Sequence, residues 1–249
     1  MSGRAARPAA HDAVHSLPMR PVPPDSLRSP RDLAPYIDHT VLSPSATRDD
    51  VLRACAEARE HGFAGVCVHR NAIAEVRRAL VGTRVLPIAV ADFPRGEGAP
   101  GARMVEAFEA VRAGAEELDL VIRLPALVAG RYEEVLDDLR ALVRAVPVPV
   151  KVILETARLT RDQKVAGAAL ARAAGAAQVK TSTGFGGGGA TVDDVALLRA
   201  VVGDGLGVKA SGGIKTAGFA RALMVAGATR LGASASVAIV SGAFEPAGG

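Results

Sequence analysis

Tryptophan is absent from the 249 residues, aromatic side chains of all kinds make up 3%, and cysteine occurs twice. So few rings leave little for nucleic-acid bases to stack on, and nucleic acid is not an expected partner. Cys55 and Cys67 are too few for a disulfide framework and show no metal-ligand spacing; both read as small buried residues, and no metal is expected. No run approaches the roughly 18 apolar residues of a membrane span, so a membrane is not an expected partner either. The opening segment MSGRAARPAAHDAVHSLPMRPVPPDS lacks the continuous apolar stretch of a secretory signal, and the expected compartment is the cytoplasm. Charge of one sign is scarce too. The net charge is +4; Arg4, Arg7, Arg20, Arg28 and Arg31 crowd the N-terminus, while acids and bases alternate along the apparent helix faces elsewhere. That pattern describes a solvated surface with a basic tail rather than a groove for a polyanion.

What is abundant is aliphatic. Hydrophobic residues total 49%, enough for one large core of Ala, Val, Leu and Ile, and the length suits a single (β/α)8 barrel. Residues 1–30, rich in Pro, Arg and Ser without apolar periodicity, are expected to form a disordered tail, residues 31–242 the barrel, and residues 243–249 a flexible C-terminus. Within the barrel one unit recurs, a short β-branched run followed by an amphipathic helix. The eight strand candidates are IDHTVL, AGVCV, RVLPIAV, ELDLVI, VPVKVIL, AQVKT, LGVKA and TRLGA. Between them lie helical patterns such as TRDDVLRACAEAREHG, YEEVLDDLRALVRA and TRDQKVAGAALARAAG. Several open on Thr followed by acids, as an N-cap and the helix dipole favour, and several close on Gly. The phrase Ala-Gly-Ala precedes a strand at Ala113, Ala174 and Ala226, a repeated helix stop feeding a parallel sheet. No Gly-x-Gly-x-x-Gly follows the first strand, so an open dinucleotide-binding sheet has no positive support.

Chemistry in such a barrel sits where strands end. Polar residues near those ends are Asp38, Thr40, Asp119, Glu155, Lys180, Thr181, Thr183, Lys209 and Ser211. Lys180 ends one strand and Lys209 the next. Neighbouring parallel strands are about 4.8 Å apart, so the two amines are close if both point inward. A buried ammonium is costly, and two side by side make sense only if one sheds its proton. A Schiff-base lysine needs that condition. Moving an ordinary lysine from a pKa of about 10.4 to near 7 takes about 4–5 kcal/mol against the cation, which desolvation and a neighbouring ammonium can supply. The competing reading makes each lysine an ordinary strand-end surface charge or half of an ion pair. Lys151 lies about 13 Å below the rim at about 3.3 Å per residue from Glu155 and reads as an interior ion partner. Asp119, flanked by leucines mid-strand, must be paired or protonated; it either neutralises a barrel lysine or shuttles protons through water, and the two roles are compatible. Asp38 on the first strand is placed to pair with Lys209 as the barrel closes.

Glycines form a second constellation. Thr183-Gly184 follows Lys180, Gly212-Gly213 follows Lys209, and Gly232-Ala233-Ser234 follows the last strand. Loops after strands seven and eight commonly hold a phosphate on bare backbone amides, and Lys215 stands ready to add a charge. Residues 186–189, four consecutive glycines, read equally well as a tight turn.

These residues in this order resemble the deoxyribose-phosphate aldolase family over residues 33–240. The resemblance rests on Asp38-His39-Thr40, Gly62-Phe63-Ala64, Val66-Cys67-Val68, Phe93-Pro94 and Val152-Ile153-Leu154-Glu155-Thr156. Its most specific parts are Val179-Lys180-Thr181-Ser182-Thr183-Gly184-Phe185 and Val208-Lys209-Ala210-Ser211-Gly212-Gly213-Ile214. It implies reversible retro-aldol cleavage of 2-deoxy-D-ribose 5-phosphate to glyceraldehyde 3-phosphate and acetaldehyde. Lys180 then matches the Schiff-base lysine, Lys209 the lysine that lowers its pKa, and Asp119 the proton-relay carboxylate. Gly184, Gly212, Gly213, Lys215, Gly232 and Ser234 are the expected phosphate contacts, with Asp38, Thr40, Cys67 and Thr183 in support. The resemblance further implies no metal or organic cofactor, a phosphorylated sugar as partner, and a homodimer as a common family assembly.

Four positions depart from the family pattern: Ser43, Asp92, Arg123 and Ser236 stand where Lys, Gly or Asn, Asn or a neutral residue, and Gly are usual. The C-terminal Tyr that some members use in proton transfer is also missing. These departures bear on substrate preference, phosphate contacts and proton steps. Two other readings remain open: a Schiff-base aldolase for another phosphorylated sugar, with Arg123 reshaping the acceptor pocket, and a non-catalytic sugar-phosphate-binding barrel.

Overall fold

The computed structural model describes residues 20–244; residues 1–19 of the expected tail and 245–249 of the expected C-terminus lie outside them. Eight parallel strands close into a barrel in sequence order: β1 Ile37–Val41, β2 Gly65–Val68, β3 Leu86–Ala91, β4 Glu117–Val121, β5 Val150–Ile153, β6 Gln178–Lys180, β7 Gly207–Ser211 and β8 Arg230–Ala233. The expected (β/α)8 barrel is the observed fold, and each expected strand contributes a stave. The outer ring comprises α1 Arg48–His61, α2 Ile73–Ala79, α3 Pro100–Arg112, α4 Leu124–Val128, α5 Tyr132–Ala145, α6 Arg161–Ala174, α7 Val192–Val202, α8 Ala217–Val225 and α9 Ser236–Ser241. No helix among the described residues is long and apolar enough to cross a membrane.

The Thr N-caps behave as their chemistry requires. Thr47, Thr160, Thr191 and Thr216 accept from the backbone N–H three residues on, and Gly62 and Gly175 end α1 and α6 in the left-handed conformation. The short helices α2, α4 and α9 carry too few turns to show a periodicity. One boundary differs from expectation. The chain from 20 to 30 packs onto the barrel: Pro24–Ser26 forms a 3-10 turn, Leu27 is buried, and Arg221 Nε donates to its carbonyl at 3.3 Å. Two apolar residues in a Pro-rich, charged segment give no periodicity to read, yet both Val22 and Leu27 pack against the core.

Strands of a closed barrel have an outer face against helices and an inner face in the lumen. The outer faces of all eight strands join the helices in one large aliphatic core. The lumen is split. Cys67, Leu86, Ile88 and Val90, with Leu42, form a small separate apolar cluster, while β4 to β8 and β1 each carry at least one buried charged side chain. Register sets these charges beside one another: Asp119 lies opposite Lys151, Lys180 opposite Lys209, Lys209 opposite Arg230, and Asp38 opposite Gly232. Gly232 is bare for a steric reason, since a Cβ there would come within 3.0 Å of Lys209 Cε.

Candidate active site

The lumen holds a connected network of seven buried ionisable side chains. Asp119 sits at its centre. Its Oδ1 accepts from Lys151 Nζ at 2.7 Å, and its Oδ2 accepts from both Lys180 Nζ and Lys209 Nζ at 2.7 Å. Lys209 also pairs with Asp38, Lys151 with Glu117 at 2.6 Å, and Arg230 bridges Asp38 at 2.9 Å and Glu117 at 3.3 Å. Lys151, Lys180, Lys209 and Arg230 supply four cations against the three carboxylates Asp38, Glu117 and Asp119. Fully ionised, the network carries one unbalanced positive charge in a buried interior.

The excess falls on one lysine. Burial pushes the Lys180 amine below the ordinary lysine value, and Lys209 adds to that against the pull of Asp119. Burial acts on Lys209 and Lys151 as well, but two carboxylates each, Asp119 with Asp38 and Asp119 with Glu117, hold these two above the ordinary value. Burial opposes ionisation of Asp119, yet the three ammonium groups outweigh it and keep its carboxyl well below the usual range. Cys67 lies with Sγ 4.0 Å from Asp119 Oδ2; burial and that negative charge push its thiol up to about 11.

Above the network a cavity of about 640 Å³ opens at the C-terminal ends of the strands. Of the three buried lysines only Lys180 reaches its wall. The wall also includes Thr40, Thr183, Gly184, Gly212, Gly213, Lys215, Gly232 and Ser234, so every expected phosphate contact borders one space. Asp38, Cys67, Asp119 and Lys209 are not among the residues of that wall, and of these Asp119 pairs with Lys180 at 2.7 Å. Thr183 is fixed from below: its hydroxyl and its N–H both donate to the buried Glu155 carboxylate. The glycine run 186–189 is a close-packing device. A Cβ on Gly189 would strike the Gly212 carbonyl, so the loop after β6 is laid directly on the loop after β7. Among the described residues, no group of three or more His, Cys, Asp or Glu is arranged to hold a metal ion.

The model of the DeoC/LacD family aldolases matches residues 33–244. The chain belongs to this family. Deoxyribose-phosphate aldolases of Caldanaerobacter subterraneus and Staphylococcus carnosus are both 46% identical to it, over 84% and 85% of this chain and 92% and 96% of theirs. The deoxyribose phosphate aldolase structure from Aeropyrum pernix, described as tetrameric, superposes with a TM-score of 0.81 at 33% identity, covering 94% of this chain and 97% of that one. A DeoC/LacD aldolase is a carbon–carbon lyase, so this chain is an enzyme.

Three of the departures from the family pattern find structural explanations in this DeoC/LacD aldolase. Arg123 pairs with Glu134 of α5 and is not among the residues lining the cavity. Asp92 occupies a left-handed conformation at φ 48° and is tied to Arg103 and the Gly98 N–H. Ser236 is not among the residues lining the cavity, and its hydroxyl lies 2.9 Å from His39 Nδ1. Ser43 does line the cavity, with its hydroxyl 2.9 Å from that of Ser45. The sequence reading missed Glu117 and Arg230, whose signal was parity: each lies two positions before an inward residue, Asp119 and Gly232.

Proposed function

We propose that this aldolase cleaves 2-deoxy-D-ribose 5-phosphate to D-glyceraldehyde 3-phosphate and acetaldehyde, reversibly, through a Schiff base on Lys180. The observation that carries the reading is the charge count. Four cations face three carboxylates, and the one lysine of this network that reaches the cavity wall is the one whose pKa is lowered. The name carried by relatives at 46% identity supports the substrate, as does a glycine-lined wall that also includes Lys215.

The chemistry follows from a neutral amine. Lys180 attacks C1 of the open-chain aldehyde to give a carbinolamine, and loss of water leaves an iminium. A base removes the proton from the C3 hydroxyl, the C2–C3 bond breaks, and its electron pair moves to C2 as the iminium becomes an enamine. C3 departs as the aldehyde of glyceraldehyde 3-phosphate. Protonation at C2 and hydrolysis then release acetaldehyde and the lysine. Asp119, hydrogen-bonded to Lys180, takes the proton-relay role, and Lys209 keeps the local field positive so that Lys180 stays a nucleophile. Gly184, Gly212, Gly213, Gly232 and Ser234 take the phosphate, with Asp38, Thr40, Cys67 and Thr183 shaping the surroundings.

Borohydride reduction in the presence of deoxyribose 5-phosphate, followed by peptide mapping, tests the reading. A stable adduct is expected on Lys180 and on no other lysine. An adduct elsewhere, or none with either this sugar or acetaldehyde, refutes it. A binding-only barrel would hold the sugar phosphate with no adduct and no turnover. The proposed setting is cytoplasmic breakdown of deoxyribose phosphate. An exposed apolar pair on α3, Val105 and Phe108, fits the homodimer expected from the family; sedimentation showing only monomer removes that part.

A further inference from the structure

Ser236 Oγ has two hydrogen-bond partners on different elements. Its single hydroxyl proton faces two groups, the Ala233 carbonyl at 2.9 Å and His39 Nδ1 at 2.9 Å. A carbonyl oxygen only accepts, so the hydroxyl donates to Ala233 and His39 Nδ1 carries a hydrogen that it donates to Ser236 Oγ. The other ring nitrogen, Nε2, lies 2.7 Å from Glu57 Oε2, which accepts from it. His39, nearly buried at 5% exposure, thus has a hydrogen-bond partner at each ring nitrogen, Ser236 on one side and Glu57 on the other.

The three residues join three elements. His39 belongs to β1, Glu57 to α1, and Ser236 opens α9 directly after β8. The segment they tie down, 232–234, forms one side of the cavity, and His39 and Glu57 line the same cavity. The residue before His39 faces the other way: Asp38 points into the lumen and pairs with Lys209 and Arg230. Two consecutive residues of β1 thus hold the amine network from inside and the end of β8 from outside.

We infer that His39, clamped between Ser236 and Glu57, is a positioning residue that sets the 232–234 side of the cavity for the anionic group of the substrate, so that preference for a phosphorylated over an unphosphorylated sugar passes through it. The inference rests on the substrate class proposed above. It makes His39 a residue that acts through the backbone of another element, without itself touching the reacting atoms.

The test compares Ser236→Gly, His39→Ala and His39→Asn with the unaltered enzyme, using deoxyribose 5-phosphate, unphosphorylated deoxyribose and, for direct binding, inorganic phosphate. Ser236→Gly and His39→Ala should each raise KM for the phosphorylated sugar about fivefold to tenfold, the size of one lost charge-assisted hydrogen bond, and weaken phosphate binding to match. Their kcat, and kcat/KM on unphosphorylated deoxyribose, should stay within about twofold. His39→Asn keeps a donor in place of Nδ1–H and should bring KM back to within about twofold of the unaltered enzyme. Equal losses on both sugars, an unchanged KM with unchanged phosphate affinity, or His39→Asn behaving like His39→Ala would each overturn the inference. Should His39→Ala fail to fold, Ser236→Gly, which removes only a hydroxymethyl group at a helix end, decides alone. Were the unaltered enzyme unable to cleave deoxyribose 5-phosphate, the proposed substrate would fall, and the phosphate affinities of the variants would still decide the role of His39.

Discussion

Lys180 and Lys209 share one carboxylate oxygen of Asp119, yet their affinities for a proton shift in opposite directions. The difference is one carboxylate: Lys209 has Asp38 as well, and Lys180 has no second partner among the described residues. Replacing Lys209 by Met leaves three cations against three carboxylates and removes the reason for Lys180 to be neutral. If its pKa returns to the ordinary lysine value, the neutral fraction near pH 7 drops, and kcat/KM should fall with it. The pH–rate profile of Lys209→Met checks this: its rising limb should move to alkaline pH. Asp119 and Asp38 both ionise more readily in the folded protein. Groups with depressed carboxyl values add stability that is fully present above the unfolded range near 3.8 and lost as pH falls toward the folded value. Asp119→Asn should therefore cost about 3–5 kcal/mol in urea unfolding at pH 7, and the gap from the unaltered protein should narrow below about pH 4. Much of this was legible from residue types: lysines at the ends of successive strands, a carboxylate among leucines, and Asp38 placed to meet Lys209. Glu117 and Arg230 were not, because an isolated charge at the start of a strand looks solvated until register fixes which face it occupies.

At the scale of elements, the βα loops matter more than the helices they open. The glycines at 186–189 could be read from sequence as turn or as site. The structure favours contact, since the loop after β6 rests on the loop after β7 through Gly189 against the Gly212 carbonyl. Gly189→Ala should push the two loops apart, raise KM severalfold and leave helical content by circular dichroism unchanged; an unaltered KM would show that the contact is incidental. Strand β6 is three residues long, too short for any period-two pattern, so its inward face followed only from its neighbours. The tie between His39 and Ser236 spans 197 residues of sequence, and no local pattern announces it.

Over the whole molecule, the eightfold repeat was readable because every helix stop and Thr cap agreed with the strand pattern around it. The N-terminal boundary was not, since Leu27 is one buried residue in a Pro-rich segment. Leu27→Ala should lower the unfolding free energy by about 2–4 kcal/mol with kcat unaffected, measured by denaturant titration alongside turnover. Closure of the barrel also makes the site: only in a closed sheet does Asp38 of β1 meet Lys209 and Arg230 of β7 and β8, and only then does the surplus come down to a single positive charge. The direct test is a pH titration of the lysine side chains by NMR in isotope-labelled enzyme, with Lys180 assigned through Lys180→Arg. The account predicts that Lys180 loses its proton well below the ordinary lysine range while Lys209 remains protonated throughout; Lys180 titrating at or above about 10.4 would contradict it.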